Sequence, residues 1–373
     1  MTGAPLVLLQ ELQYLHSHCE DIEPELLIMR DGPLHEAFSR ICKVRVGSMS
    51  LIHRIKRAFF STFLQRKSTH DYTKGYRRRQ FDCVYANTFG MAQVANQFKR
   101  RWGIPVILHV HEAECLTHQS KMDVEELSLV DRFICVSELS RRNLTDNHGV
   151  PSEKICVQYP LSYWGYQLLE DKKSVRPESS NNGNVTVGLL CSNETWYKST
   201  FLLPLLLRQY YHKYPDSPIR FMLVGELDDS TRYKLGYDLR KNGVADRIEI
   251  TGEVSNPMDY HRMFDIYLLF SREDSFSLSA QEAALTHTPV VGFEGATGAC
   301  EWIKKGGGII VPYMDLDALC EAIHRLSSDP RLREQTGDRA FEIICELYEE
   351  ESKIPQVVST IRQFSGTRQA SCP

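Results

Sequence analysis

The chain has 373 residues, of which 42% are apolar and 25% are charged. This length and composition suffice for two domains with buried cores and exclude an intrinsically disordered protein. The net charge of −4 and the pI near 6.4 exclude a broad nucleic-acid-binding surface, which needs an excess of basic residues.

The cysteine pattern and the hydropathy indicate a cellular compartment. Eleven cysteines are scattered singly, and several lie inside apolar runs, as Cys135 and Cys191 do. This is typical of reduced, buried thiols in a cytosolic protein. The sequence shows neither a signal-peptide pattern nor the roughly 18 to 20 consecutive apolar residues that cross a bilayer. We therefore expect a cytoplasmic protein that lies at most against the inner face of a membrane.

Near the start of the chain, hydrophobic periodicity predicts a helix over Leu6 to His16, directly after Gly3. Residues 51–79 then mix apolar and basic side chains, including Phe59, Phe60 and Arg77. Two interpretations are open for this segment. It is a basic amphipathic helix that contacts anionic lipid or a lipid-linked acceptor, or it is an ordinary helix packed on the sheet with one solvated face.

Further along, short β-branched runs alternate with amphipathic helical patterns, which predicts parallel sheets with crossover helices. The predicted strands are Phe81 to Tyr85, Pro105 to Val110, Asp131 to Val136, Asn184 to Cys191, Arg220 to Gly225, Ile248 to Gly252, Ile266 to Phe270, Thr288 to Phe293 and Gly308 to Val311. The expected fold is α/β, with two Rossmann-like, doubly wound domains that face each other across a cleft.

A change in composition divides these elements into two domains. Residues 173–184 crowd charged residues, Pro and Asn-Asn-Gly without apolar periodicity, as linkers do. We expect residues 1–172 to form the first domain, joined by a C-terminal segment over 350–373. Residues 185–349 would form the second.

The most informative stretch runs from Ser271 to Leu285, between two predicted strands. It reads as a polar loop followed by the start of a helix, where free backbone N–H groups bind phosphate well. Asp274 lies in the loop and Glu282 in the helix, so both carboxylates can face one ligand. An acid, seven residues, Glu, Ala-Ala and then Pro-Val-Val resembles the signature of the retaining family-4 (group 1) glycosyltransferases of the GT-B fold, and the Ser-Arg-Glu-Asp start resembles their bacterial branch. In the family the first acid of this signature is usually Glu. In this chain Asp274 holds that position, and Glu273 lies one residue out of register.

The resemblance implies roles for further residues. Lys198 matches a phosphate-binding lysine, and Arg272 is a candidate to support it. Gly295, Gly298 and Glu301 match a glycine-containing loop and acid beside the donor, and Gly3 matches the glycine loop of the first domain. A strand should precede that loop and none is seen, so we expect either a start further upstream or a shortened, less stable form.

The division of labour that the resemblance implies has three parts. Lys198 and the helix start would stabilise a departing nucleoside diphosphate, Glu282 would bind the ribose, and Asp274 and His111 would orient the sugar. The residues of that helix start are Phe276, Ser277 and Leu278. No cofactor or metal is expected, although His109 and His111 with Glu112 and Glu114 leave a metal site as an alternative. Asp315-Leu-Asp317 is interpreted as a helix N-cap rather than a metal motif.

We therefore expect a hexosyltransferase that moves a sugar from a nucleoside diphosphate sugar to a glycan or lipid-linked acceptor with retention, in surface polysaccharide or glycoconjugate biosynthesis. Two alternatives remain open. A sugar-nucleotide epimerase would isomerise the nucleotide sugar without an acceptor. A catalytically impaired partner subunit would associate with an active relative but not turn over.

Overall fold

The structure, a computed structural model, describes residues 3–47, 70–78, 80–162, 184–191, 196–351 and 354–365. Within them, twelve strands form three parallel sheets of two, four and six strands. The predicted linker over 173–184 lies outside the described residues except for Asn184, and so does most of the basic segment 51–79. The domain boundaries therefore stay a prediction.

The first half of the chain carries the two smaller sheets. Strands β1 and β2 pair with each other, and β3, β4, β5 and β6 follow one another in that order in the second sheet. All five residues of β4 are buried, as expected for a central strand that is covered by helices on both faces. The strands are β1 Glu25–Ile28, β2 Lys43–Val46, β3 Val84–Asn87, β4 Val106–Val110, β5 Arg132–Cys135 and β6 Ile155–Val157.

Six α-helices accompany these sheets in the described part of the first half. Gly103 and Gly149 end two of them in the left-handed conformation, which glycine adopts without steric cost. The helices are α1 Gly3–His18, α2 His35–Ser39, α3 Ala92–Trp102, α4 Glu114–Gln119, α5 Val124–Ser128 and α6 Glu138–His148.

The six-stranded sheet has the order β12-β11-β10-β7-β8-β9. The chain reverses its direction of winding between β7 and β10, and open α/β sheets bind ligands at such a point, beyond the carboxyl ends of the strands. One apolar cluster lies on each face of the sheet. The strands are β7 Thr186–Leu190, β8 Arg220–Val224, β9 Ile248–Gly252, β10 Ile266–Leu269, β11 Val290–Phe293 and β12 Gly308–Val311.

The second half of the chain contains eight α-helices within the described residues. Asp315 caps one of them, because its side chain accepts hydrogen bonds from the N–H groups of Asp317 and Ala318. This confirms its prediction as an N-cap. The helices are α7 Leu203–Lys213, α8 Asp229–Lys241, α9 Pro257–His261, α10 Leu278–Leu285, α11 Cys300–Trp302, α12 Leu316–Ser328, α13 Pro330–Glu351 and α14 Ile354–Ser365.

The last helix returns to the first half of the chain. Val357 and Ile361 of α14 pack against Ile107 and Ile134 of the four-stranded sheet. No helix in the described part of the chain is both long and apolar enough to traverse a bilayer. All nine predicted strands are present with small shifts in their ends, whereas β1, β2 and β6 were not predicted.

Candidate functional site

The site begins with an ion pair at the carboxyl ends of β7 and β10. The Nζ of Lys198 lies 2.6 Å from Oδ2 of Asp274, and both side chains are largely buried. Burial alone would lower the pKa of Lys198, but the Asp274 carboxylate more than offsets this, so the pKa of Lys198 is raised. Lys198 therefore stays cationic in a partly desolvated position, where a point charge attracts anions strongly.

The other oxygen of Asp274 organises the loop before α10. Oδ1 accepts hydrogen bonds from the N–H groups of Phe276, at 3.2 Å, and Ser277, at 2.9 Å. Ser277 has a φ of 56°, a strained conformation for a residue with a side chain. Two of the N–H groups that the sequence assigned to a phosphate seat are thus bonded to Asp274, and the Phe276 ring stacks on Tyr159. The free N–H groups of the helix begin at Leu278.

The N-termini of two helices meet beside this loop. A Cβ atom on Gly3, the first residue of α1, would lie 3.3 Å from Cδ1 of Leu278, the first residue of α10. Each helix N-terminus carries about half a positive charge from the aligned peptide dipoles. Two such ends next to a buried lysine make this part of the cleft attractive for an anion.

Glu282 lies on α10, about one turn beyond its start at Leu278. Its side chain is almost buried, and Oε2 lies 3.4 Å from Nε2 of His261. His261 is fully buried, and neither of its ring nitrogens makes a hydrogen bond within the described residues. The His261 imidazole therefore lies beside one oxygen of the carboxylate, and the carboxylate can still accept hydrogen bonds from a ligand.

Arg272 and Glu273 have different contacts from those of Asp274. The Arg272 guanidinium lies over the rings of Trp196, at 5.0 Å, and Phe201, at 5.2 Å. Glu273 reaches across the cleft, where its Oε1 accepts a 2.8 Å hydrogen bond from the N–H of Cys115 in α4. The Arg272 guanidinium is thus stacked on aromatic rings, and its support of Lys198 in binding phosphate stays a prediction.

The loop that contains Gly295, Gly298 and Glu301 faces the first half of the chain. Glu301 accepts hydrogen bonds from the N–H of Leu139, at 3.0 Å, and the hydroxyl of Tyr159, at 2.9 Å. A Cβ atom on Gly298 would lie only 2.4 Å from Cβ of Ser137, so glycine is needed there for the close approach of two segments. Gly298 and Glu301 therefore form contacts between the two halves, and Gly295 lines a cavity between them.

That cavity has a volume of about 390 Å³, and seven of its ten lining residues have polar or charged side chains. Most of its lining comes from α4 and α6, and the opposite wall is formed by two residues of the second half. The lining residues are Ala113, Glu114, Leu139, Ser140, Arg142, Asn143, Asp146, Asn147, Glu273 and Gly295. Its size and polarity suit a hydroxylated molecule of the size of a sugar.

His111 follows β4, at the edge of the first half that faces the cleft. Its Nε2 lies 2.7 Å from Oδ1 of Asn87, the last residue of β3. Burial together with neighbouring His109 holds the pKa of His111 well below its usual value. His111 is therefore neutral. Among the described residues, no group of three or more His, Cys, Asp or Glu side chains is arranged to hold a metal ion.

Behind His111 lies a buried polar cluster. The hydroxyl of Tyr85 donates a 2.9 Å hydrogen bond to Glu11 of α1 and also contacts Nδ1 of His109. Burial raises the pKa of Glu11 to about 7, although His111 and Tyr85 act in the opposite direction. Burial also lowers the pKa of His109 to about 3. Glu11 was not among the site residues predicted from the sequence, although an acid on the apolar face of α1 is a signal for such a group.

Sequence comparisons match both halves of the chain to glycosyltransferase models. Residues 2–160 match the model of Glycosyltransferase Family 4, and residues 186–329 match that of Glycosyl transferases group 1. The lipopolysaccharide core biosynthesis mannosyltransferase LpsB of Rhizobium meliloti is 36% identical over 97 residues, which cover 25% of this chain and 27% of that protein. The D-inositol 3-phosphate glycosyltransferase of Thermobifida fusca is 24% identical over 69% of this chain and 64% of its own. The matched segments thus span less than two thirds of these relatives.

A structural comparison supports the same assignment for the fold. HepE of Anabaena, solved in complex with UDP-glucose, superposes with a TM-score of 0.70 over 96% of both chains, at 17% identity. The two parallel sheets that face each other across a cleft are those of the GT-B architecture. Since the two family models together match most of the chain, the protein belongs to the group 1, family 4 glycosyltransferases.

Proposed function

We propose that the protein transfers a hexose-type sugar from a nucleoside diphosphate sugar to a glycan or lipid-linked acceptor, with retention of the anomeric configuration. We place it in the bacterial-type branch that builds surface polysaccharides and glycoconjugates. A cytoplasmic location, and membrane contact through residues 51–79, remain predictions from the sequence. The relatives with mannosyltransferase and inositol phosphate glycosyltransferase activities support transfer of a sugar.

The observation that carries the proposal is the meeting of α1 and α10 beside the Lys198–Asp274 pair. In the proposed mechanism the donor diphosphate lies against Lys198 and the free N–H groups from Leu278 onward. These groups stabilise the charge that grows on the leaving diphosphate, in a position where preorganised donors are most effective. Asp274 holds Lys198 and the loop in place, which keeps the seat preorganised.

The remaining roles follow from position. Glu282 accepts hydrogen bonds from the ribose of the donor, while His111 borders the transferred sugar from the first half of the chain. The polar cavity beside Glu273 and Gly295 takes the acceptor. Closure of the cleft around both substrates excludes water and aligns the reacting atoms.

A donor screen tests this proposal. Purified protein is incubated with uridine, guanosine and thymidine diphosphate sugars, beginning with UDP-glucose, and release of the diphosphate and the melting temperature are measured. We expect one nucleotide family to raise the melting temperature and to release its diphosphate slowly, without isomerisation of the sugar. Binding without release would favour an impaired partner subunit, and isomerised nucleotide sugar would favour an epimerase.

A further inference from the structure

The buried cluster behind His111 is not used by the proposed substrate contacts. Glu11 is only 4% exposed, and Tyr85 and His109 surround its carboxyl group. Burying an ionisable carboxyl group costs free energy unless its partners compensate for it. An apolar residue at this position of α1 would pack without that cost. The partners of Glu11, and the atoms of the cluster that carry protons, therefore decide how its burial is compensated.

The hydrogen-bond pattern around His111 can be assigned from its neighbours. Nδ2 of Asn87 donates to the backbone oxygen of Ala4 over 3.1 Å, so Oδ1 of Asn87 is the acceptor for His111. His111 therefore carries its proton on Nε2. Its ring centroid lies 4.0 Å from that of His109, whose Nε2 is buried and has no hydrogen-bond partner within the described residues.

The Tyr85 hydroxyl has one proton and two neighbours that accept it. When Glu11 is ionised, Tyr85 donates to Glu11 and accepts from Nδ1–H of His109. When Glu11 is protonated, it donates to the Tyr85 oxygen, and Tyr85 then donates to a bare Nδ1 of His109. The change from the first pattern to the second takes up one proton. That proton binds Nε2 of His109, while one proton moves from Nδ1 to Tyr85 and another from Tyr85 to Glu11.

We propose that Glu11, Tyr85 and His109 form a proton relay that positions His111. Protonation of Glu11 switches His109 from the Nδ1–H to the Nε2–H tautomer, and this places a hydrogen-bond donor beside the His111 ring. Glu11 is thus a positioning residue, since it acts through two others. The effect of the relay on sugar transfer rests on the proposed function, whereas the tautomer switch does not.

Among the described ionisable groups around the relay, Glu11 is the one whose pKa lies near neutral pH. One other carboxyl group has to be distinguished from it. Burial raises the pKa of the Tyr85 hydroxyl and of the Cys156 thiol on β6, and it lowers the pKa of both histidines. Helix α14 contributes apolar side chains. That other carboxyl group is Glu112, whose pKa burial also raises and whose carboxylate accepts from the His111 N–H.

The test observes the imidazole nitrogens directly. The full chain is labelled with ¹⁵N-histidine, and long-range ¹H–¹⁵N spectra are recorded from about pH 6 to about pH 8.5, a range around the ordinary pKa of histidine. A His109→Asn variant assigns the His109 signals. We expect His109 to change from Nε2–H to Nδ1–H as the pH rises, with a midpoint near the pKa of Glu11, about 7, and without passing through a charged ring.

Two variants and two controls decide the assignment. The tautomer change should vanish in Glu11→Gln and in Tyr85→Phe, which breaks the relay at its centre. The tautomer change should persist in Glu112→Gln and in Glu126→Gln. The Glu126 carboxylate is also buried, but it is bonded to Asn96 and lies outside the relay, so its replacement controls for the loss of a buried charge. A single His109 tautomer throughout the range in the unmodified protein, or a tautomer change that persists in Glu11→Gln, would overturn the proposal.

A kinetic measurement separates the relay from the proposed function. If UDP-glucose is hydrolysed, kcat of the unmodified protein should show an inflection near pH 7, the approximate pKa of Glu11. That inflection should be lost in Glu11→Gln, while KM for UDP-glucose stays the same. If UDP-glucose is not hydrolysed, the donor proposal fails for this sugar, and the nuclear magnetic resonance titration still decides whether the relay exists.

Discussion

Glu282 shows how a buried contact prepares a carboxylate for a ligand. His261 approaches one of its oxygens to 3.4 Å from the protein interior, and α10 fixes the backbone. The carboxylate has about four acceptor positions, so most remain for ribose hydroxyl groups. The spacing of Glu282 from Asp274 could be read from the sequence, but its support by His261 could not, because His261 is 21 residues earlier on another helix.

Replacing Glu282 by Gln keeps its size and removes its charge. We expect UDP-glucose to bind roughly 1 to 3 kcal/mol more weakly, because hydrogen bonds to a charged acceptor are lost. Titration calorimetry measures this, with Glu249→Gln on the exposed side of β9 as a control that should bind normally. Equal affinity for UDP-glucose in Glu282→Gln and the unmodified protein would remove Glu282 from the donor site.

The raised pKa of Glu11 should make the free energy of unfolding depend on pH. This pKa is about 7 in the folded protein and near the ordinary value of 4.5 in the unfolded chain. The folded state therefore keeps a proton that the unfolded state releases, so the free energy of unfolding falls as the pH rises between these values. The shift corresponds to about 3 kcal/mol.

Urea unfolding at several pH values checks this for the unmodified protein and Glu11→Gln. The variant lacks the carboxyl group, so it should gain stability relative to the unmodified protein as the pH rises through this window, and the difference should level off above it. A stability difference that does not change with pH would show that Glu11 is not titrating there.

At the level of elements, two helix N-termini of the first half donate hydrogen bonds to a carboxylate from the second half. Glu301 accepts from the first turn of α6, and Glu273 accepts from the first turn of α4. A carboxylate at a helix N-terminus satisfies free N–H groups and complements the helix dipole. The sequence predicts Glu301 as a donor contact by its place in a motif, and that role stays a prediction. The structure shows in addition that Glu301 caps a helix of the other half, a contact that depends on tertiary geometry and that no local pattern contains.

The contact of Glu301 with the first turn of α6 should help to hold the two halves of the chain together. In Glu301→Gln the capping charge is lost, so we expect the cleft to open, with a larger radius of gyration in small-angle scattering and unchanged far-ultraviolet circular dichroism. Glu294→Gln is the matched control, because Glu294 lies in the same region but pairs with exposed Lys304. Identical scattering from Glu301→Gln and the unmodified protein would show that this contact does not hold the cleft closed.

At the scale of the whole molecule, the parallel sheets were predictable because their strands are apolar runs separated by amphipathic helices. The three strands that were not predicted are short and only partly buried, such as β1, where all four residues are of intermediate exposure. Side-chain direction was less predictable than position. Arg272 was predicted only as a candidate to support Lys198, and no sequence pattern indicated that its guanidinium lies over the rings of Trp196 and Phe201.

We propose that the donor diphosphate binds where α1 and α10 meet beside Lys198. The most direct test is calorimetric titration of UDP into the unmodified protein, into Lys198→Met, and into Lys213→Met as a control. Lys213 is also paired with carboxylates, but on the surface at Asp317 and Glu321.

We predict that Lys198→Met binds UDP roughly 10- to 100-fold more weakly, as expected for the loss of one charged hydrogen bond to phosphate, and that Lys213→Met binds it normally. A melting curve of Lys198→Met shows whether the variant is folded. UDP binding of equal strength in the folded Lys198→Met variant and the unmodified protein would contradict the claim.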